Sequence, residues 1–122
     1  MAYKPFQEQA LYQSIEDLAA WLIPAVGKWN KWLRPTLGQQ VLVGVLSILR
    51  CCTMAYGAAR GQKLGHLERA SAELDGLRML VKLSVTLRLS SRSQFKHASR
   101  LMGEVGKQLG GWMGLMRRGE GE

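Results

Sequence analysis

Several things are scarce in this chain of 122 residues. There are 2 cysteines, and they are neighbours, Cys51 and Cys52, so no disulfide framework can form. A bridge between adjacent residues within a helix would be strained, and both are expected as small core residues in a reducing compartment. There are only 3 prolines beside 47% hydrophobic residues, which excludes a disordered tract. With 2 histidines, His66 and His97, and no HxxxH or ExxH spacing, no metal centre is expected, and both read as structural. Acidic residues are few, 9 against 17 Lys and Arg, for a net charge of +8 and a pI near 10.0. Partners should therefore be anionic: RNA, DNA or acidic lipid. The opening Met1-Ala2-Tyr3-Lys4-Pro5 lacks the charged-then-apolar run of a signal peptide, and a cytoplasmic protein is expected.

The stretch Val41–Ala59 is apolar except for Arg50 and small polar residues. Arg50 near its middle would cost about 2.5–3.5 kcal/mol in a bilayer, so a central bundle helix is expected there and no membrane span. The length fits one domain over residues 1–122, its ends about 1–6 and 117–122 frayed. The charge is uneven. Lys4 faces Glu8, Glu16 and Asp17 in residues 1–24, while residues 25–60 hold Lys28, Lys31, Arg34, Arg50 and Arg60 without an acid.

Four helical segments follow from the spacing of apolar residues. Leu11, Ile15, Leu18, Leu22 and Val26 define the first, kinked by Pro24 and resuming to about Trp29 or Asn30. Lys31–Pro35 reads as a connection. Thr36-Leu37-Gly38-Gln39 matches a capping box and starts a second helix to about Arg60, with Val41, Val45, Ile48, Cys52 and Ala55 along one face. Gly61–Gly65 reads as a break. A third helix carries Leu67, Ala70, Leu74, Leu77, Val81 and Val85 and ends near Arg88. Ser91-Arg92-Ser93-Gln94 is a second capping box. The last helix has the cleanest period: Phe95, Ala98, Met102, Val105, Leu109, Trp112 and Met116. Short loops between four such helices predict an all-α, antiparallel up-down four-helix bundle.

No catalytic constellation is present. Nothing resembles a nucleophile elbow, and Lys63, although it follows Gly61, belongs to no GxxxxGK[ST] loop. Gly103, Gly106, Gly110 and Gly111 cost about 1 kcal/mol each within a helix and suggest tight helix or subunit contacts. Met79, Met102, Met113 and Met116 fit packing better than a cofactor pocket, so no cofactor is expected. The basic residues are more telling. Arg92, Lys96, Arg100 and Lys107 recur at steps of four, four and seven, and Arg78 and Lys82 lie one turn apart. Like charges so spaced repel by a few tenths of a kcal/mol, a cost an anionic partner relieves; a solvated bundle face is the plain alternative. In Lys28-Trp29-Asn30-Lys31-Trp32-Leu33-Arg34, cations alternate with aromatics. That pattern fits stacking of unpaired bases, and equally a Trp29 that closes the bundle end beside wet lysines.

Three stretches, taken in order, carry a resemblance. They are Arg34-Pro35-Thr36-Leu37-Gly38-Gln39, the run from Ala72-Glu73-Leu74-Asp75-Gly76-Leu77-Arg78 to Leu83, and His97-Ala98-Ser99-Arg100-Leu101-Met102-Gly103-Glu104 continuing to Trp112. With Leu22-Ile23-Pro24 ahead of them, they resemble the accessory variability determinant of diversity-generating retroelements. That family is related to four-helix-bundle proteins encoded in 23S rRNA intervening sequences. The resemblance implies a barrel-like homopentamer that binds nucleic acid, associates with the element's reverse transcriptase and contributes no catalytic residue. The complex, with template RNA, makes the mutagenised cDNA. Arg78 and Lys82 match the family's partner-binding basic pair, with Lys82 standing where arginine is expected; Gln40 stands where a basic residue is frequent. Two other readings fit the same residues: a stand-alone intervening-sequence bundle protein without an enzyme partner, and a membrane-surface helical protein.

Overall fold

The computed structural model describes residues 4–119, and its regular structure is helical, with no strand among the described residues. Four helices follow one another: α1 (Ala10–Gly27), α2 (Gln39–Gly57), α3 (Arg60–Thr86) and α4 (Arg92–Arg117). Each packs on the next in sequence, and α1 closes the ring against α4. Short connections make neighbours antiparallel, so the α1–α2 and α3–α4 links share one end, the link end. The α2–α3 corner, the start of α1 and the end of α4 lie at the other, the corner end.

The apolar periods become the core. Ile15 and Leu18 of α1, Val41, Ile48 and Cys52 of α2, Leu67 and Leu74 of α3, and Met102 and Leu109 of α4 are all essentially inaccessible to solvent. A buried aromatic residue closes each end. Trp29 is buried at the link end. At the corner end Phe6, at the inner limit of the stretch expected to fray, is also buried, packed edge-on to Tyr12 at 5.6 Å and against Tyr56 at 5.4 Å. Burial pushes the Cys52 thiol up to about 12, aided by Cys51, so this thiol stays protonated and inert; both cysteines are free.

Three local expectations need correction. The capping box at Thr36 does not form. Leu33 is already helical, and Arg34–Gly38 make a wide turn in which the Gly38 N–H donates to the Leu33 carbonyl at 2.9 Å. The Gln39 N–H then bonds the Thr36 carbonyl, so α2 begins by continuing a turn and needs no side-chain cap; the Thr36 hydroxyl donates back to Leu33 instead. Gly38 is required there, because a Cβ would come within 2.9 Å of Val26 Cγ1. The break expected at Gly61–Gly65 is absent too. Ala58 and Ala59 alone turn the chain, in extended conformation, and α3 starts at Arg60. The Lys63 ammonium makes this tight corner possible by donating to the last α2 carbonyls, Ala55 at 3.0 Å and Tyr56 at 2.9 Å. Finally, Ser84 takes the core position near the end of α3, with Val85 only half-buried.

The second capping box does form. The Gln94 N–H donates to Ser91 Oγ at 3.1 Å, and the Ser91 N–H donates to Gln94 Oε1 at 2.8 Å. The segment Arg34–Gly57 is long and apolar enough to cross a membrane by length and composition. In the bundle its Val41, Val45, Ile48, Cys52 and Ala55 face the core, and Arg50 is exposed.

Candidate nucleic-acid and partner interface

Antiparallel order brings together stretches far apart in sequence. The α1–α2 link and the first turn of α2, residues 25–42, lie at the link end with the second half of α3 and the first half of α4, residues 76–103. These stretches carry nine cations, namely Lys28, Lys31, Arg34, Arg78, Lys82, Arg88, Arg92, Lys96 and Arg100, and no Asp or Glu. Lys107 continues the α4 row towards the other end. Eight of the nine are exposed and Arg78 is half-buried. Such a pole raises the local concentration of any polyanion, and its screening by salt is the signature to look for.

Individual side chains within it are held differently. Arg34 donates to the Gly27 carbonyl at 3.3 Å. Lys31 lies 6.0 Å from the ring centre of Trp32, which is 76% exposed. The Asn30 carboxamide accepts from the Trp32 N–H at 2.8 Å and fixes the turn that presents this indole. Trp29 closes the bundle end, and Trp32 is the aromatic left available to a partner. Arg100 shares a hydrogen bond of 2.9 Å with His97 Nδ1, and the His97 ring packs on Trp21 of α1. Arg92, Lys96 and Lys107 extend into solvent from the outer face of α4.

Arg78 and Lys82 lie along the α3–α4 groove. With Met79, Phe95, Ser99 and Met102 they line a cavity of about 150 Å³. Arg78 pairs with Asp75 at 3.0 Å, a largely exposed pair that contributes little stability. Its guanidinium also rests on α4 at Gly106, where a Cβ would meet Arg78 Nη2 at 2.8 Å. The small-residue pattern of α4 is thereby explained at Gly106, but not as tight contact within the bundle at Gly103, Gly110 or Gly111, where a Cβ would meet nothing within 4 Å.

Arg88 belongs to this pole, and the sequence reading did not single it out. It adopts φ 60°, the left-handed conformation glycine usually supplies after a helix, while the Leu89 and Ser90 N–H groups bond back to the Ser84 carbonyl. Keeping an arginine there costs about 1 kcal/mol. Arg88→Gly is therefore expected to stabilise the fold by up to about 1 kcal/mol in urea unfolding, and a destabilised variant would mean that the side chain supports the fold.

A family model described as bAvd-like matches residues 10–116, nearly the whole helical region. This chain belongs to the bAvd-like family. No curated protein matched it. Membership of this family suggests an accessory protein of the retroelement type. The matched span of this bAvd-like protein takes in all four helices and all nine cations at the link end.

Proposed function

We propose that this bAvd-like protein is the accessory subunit of a diversity-generating retroelement, binding template RNA and cDNA and holding the element's reverse transcriptase. The observation that carries this reading is the pole of nine cations, of which only Arg78 is ion-paired among the described residues, to Asp75, set on a bundle of this family. A phosphate backbone is the ligand that such a pole fits, since each Lys or Arg that meets a phosphate releases a condensed counterion. Arg78 and Lys82 are the contacts to the enzyme or its bound RNA. Arg92, Lys96, Arg100 and Lys107, with Lys28, Lys31 and Arg34, add phosphate contacts, and the protein works in the cytoplasm.

We further read the working form as a barrel-like homopentamer. Val43, Leu46 and Met54 on α2 are 40–47% exposed. On α3 and at the residue just after it, Met79, Leu83 and Leu87 recur one turn apart and are 43–66% exposed. Apolar faces of this kind support burial between copies of the chain. Repetition of the basic pole around such a ring adds avidity without new contacts.

The test is the salt dependence of binding to single-stranded RNA. Raising salt from about 50 to 200 mM should weaken affinity by two or more orders of magnitude if six or so phosphates are met. Unchanged affinity would sink the electrostatic reading. Gly106→Ala gives a finer check. Arg78 can swing away from the added methyl, and the helix gains up to about 1 kcal/mol, so stability should hold or rise. Retention of the reverse transcriptase should nevertheless fall, because Arg78 has lost its seat; undiminished retention would remove Arg78 from the interface.

A further inference from the structure

At the corner end, far from the pole just described, a cleft of about 620 Å³ opens between the start of α1, the end of α2, the start of α3 and the end of α4. Its size is that of small-molecule sites. Its walls include Tyr56, Lys63, Trp112, Leu115 and Arg118, and none of its described lining residues is acidic. Lys63 is 6% exposed. Two of its three N–H donors are held by the Ala55 and Tyr56 carbonyls, and the third has no acceptor among the described residues. Nor does any described carboxylate come within ion-pair distance of it. The carbonyl end of α2 offsets part of this buried charge, and an anion in the cleft would complete the compensation.

The remaining walls ask for something besides an anion. Trp112 is half-buried beside Leu11 and Leu115, which gives the cleft an apolar side with an indole in it. A bare phosphate would leave that side wet, and an apolar ligand would leave the ammonium unpaired. A planar base joined to a phosphate satisfies both. We infer that this cleft holds one nucleotide, its phosphate on Lys63 and its base against Trp112. The inference rests on the RNA-binding reading only for the source of that nucleotide, which is either a free mononucleotide or one unpaired residue of a strand.

The experiment follows the indole N–H signals of the isotopically labelled wild-type protein by NMR, with Trp112 assigned by its absence in Trp112→Phe. AMP, adenosine, inorganic phosphate and a short single-stranded RNA are added in turn. AMP should move the Trp112 signal saturably, with adenosine and phosphate each roughly tenfold weaker or more. Lys63→Met, where its spectrum shows it folded, should weaken AMP by a similar factor. A shift seen only with RNA supports the cleft and identifies a strand as the source. If neither AMP nor RNA moves Trp112, the cleft proposal is overturned. RNA that binds by fluorescence anisotropy while neither it nor AMP moves Trp112 overturns the cleft alone, whereas AMP bound in the absence of any RNA binding supports the cleft and overturns the RNA reading.

Discussion

Replacing Arg92, Lys96, Arg100 and Lys107 together by glutamine is expected to weaken single-stranded RNA binding by roughly a hundredfold at about 0.15 M salt. The reasoning is additive at this level. Each phosphate contact on a single strand contributes about 0.7 to the slope of log affinity against log salt, so four lost contacts should flatten that slope by nearly three. The fold should tolerate the change. All four side chains leave the outer face of α4, none makes an ion pair among the described residues, and glutamine is a good helix former. Removing the repulsion between neighbouring turns should even raise stability slightly. Anisotropy titrations at several salt concentrations check both numbers. An unchanged slope would mean that this row is simply a wet face and that any RNA contact lies elsewhere on the pole.

Leu67→Ala should be the most damaging single truncation of a core leucine on α3, costing about 2–5 kcal/mol. Leu67 is fully buried, at 0% exposure, and sits next to the α2–α3 corner, where a two-residue link leaves little freedom to collapse into the cavity. Against a total stability of about 5–15 kcal/mol, that loss would populate unfolded chains near physiological temperature. Leu83→Ala on the same helix is the control: at 43% exposure its effect on folding of one chain should stay within about 0.5 kcal/mol. If copies of the chain pack through this face, Leu83→Ala should instead promote dissociation of the assembly. Urea unfolding combined with light scattering separates the two effects. Equal destabilisation by both substitutions would contradict the assignment of core and outer faces on α3.

The bundle was legible because helix periodicity depends on which residues avoid water, and that survives local detail. The α4 seam illustrates this: Ala98, Met102, Val105 and Leu109 are buried as their spacing requires, while Phe95, Trp112 and Met116 towards its ends are half-buried and Met113 takes a core place. Helix ends were harder, since a cap motif states only what side chains could do. Ser91 caps because the chain enters α4 from an extended conformation. Thr36 does not, because the residues before it were already helical and the Gln39 N–H that its side chain would accept bonds the Thr36 carbonyl instead. Gly61 and Gly65 suggested a break, but two alanines turned the chain and a lysine from the next helix satisfied the exposed carbonyls. That last interaction spans eight residues and has no sequence signature.

The candidate site was half legible. Spacing found the α4 row and the Arg78–Lys82 pair, but their convergence with Lys28, Lys31 and Arg34 at one end depends on the antiparallel path of the chain. Composition could not choose between Trp29 and Trp32. Burial does, since Trp29 faces the core and Trp32 faces solvent. Arg88 went unnoticed because its signal is conformational, a left-handed φ at a position that sequence alone shows only as an arginine between two leucines.

The measurement that bears most directly on the proposed role is retention of the neighbouring reverse transcriptase by this protein, tested with wild type and with the Arg78→Ala/Lys82→Ala variant. The account predicts that wild type retains the enzyme. The double variant, shown to be folded by its helical circular dichroism and unfolding midpoint, should lose most of that retention. If a well-expressed, active enzyme passes through unretained by wild type, this chain is not its accessory subunit.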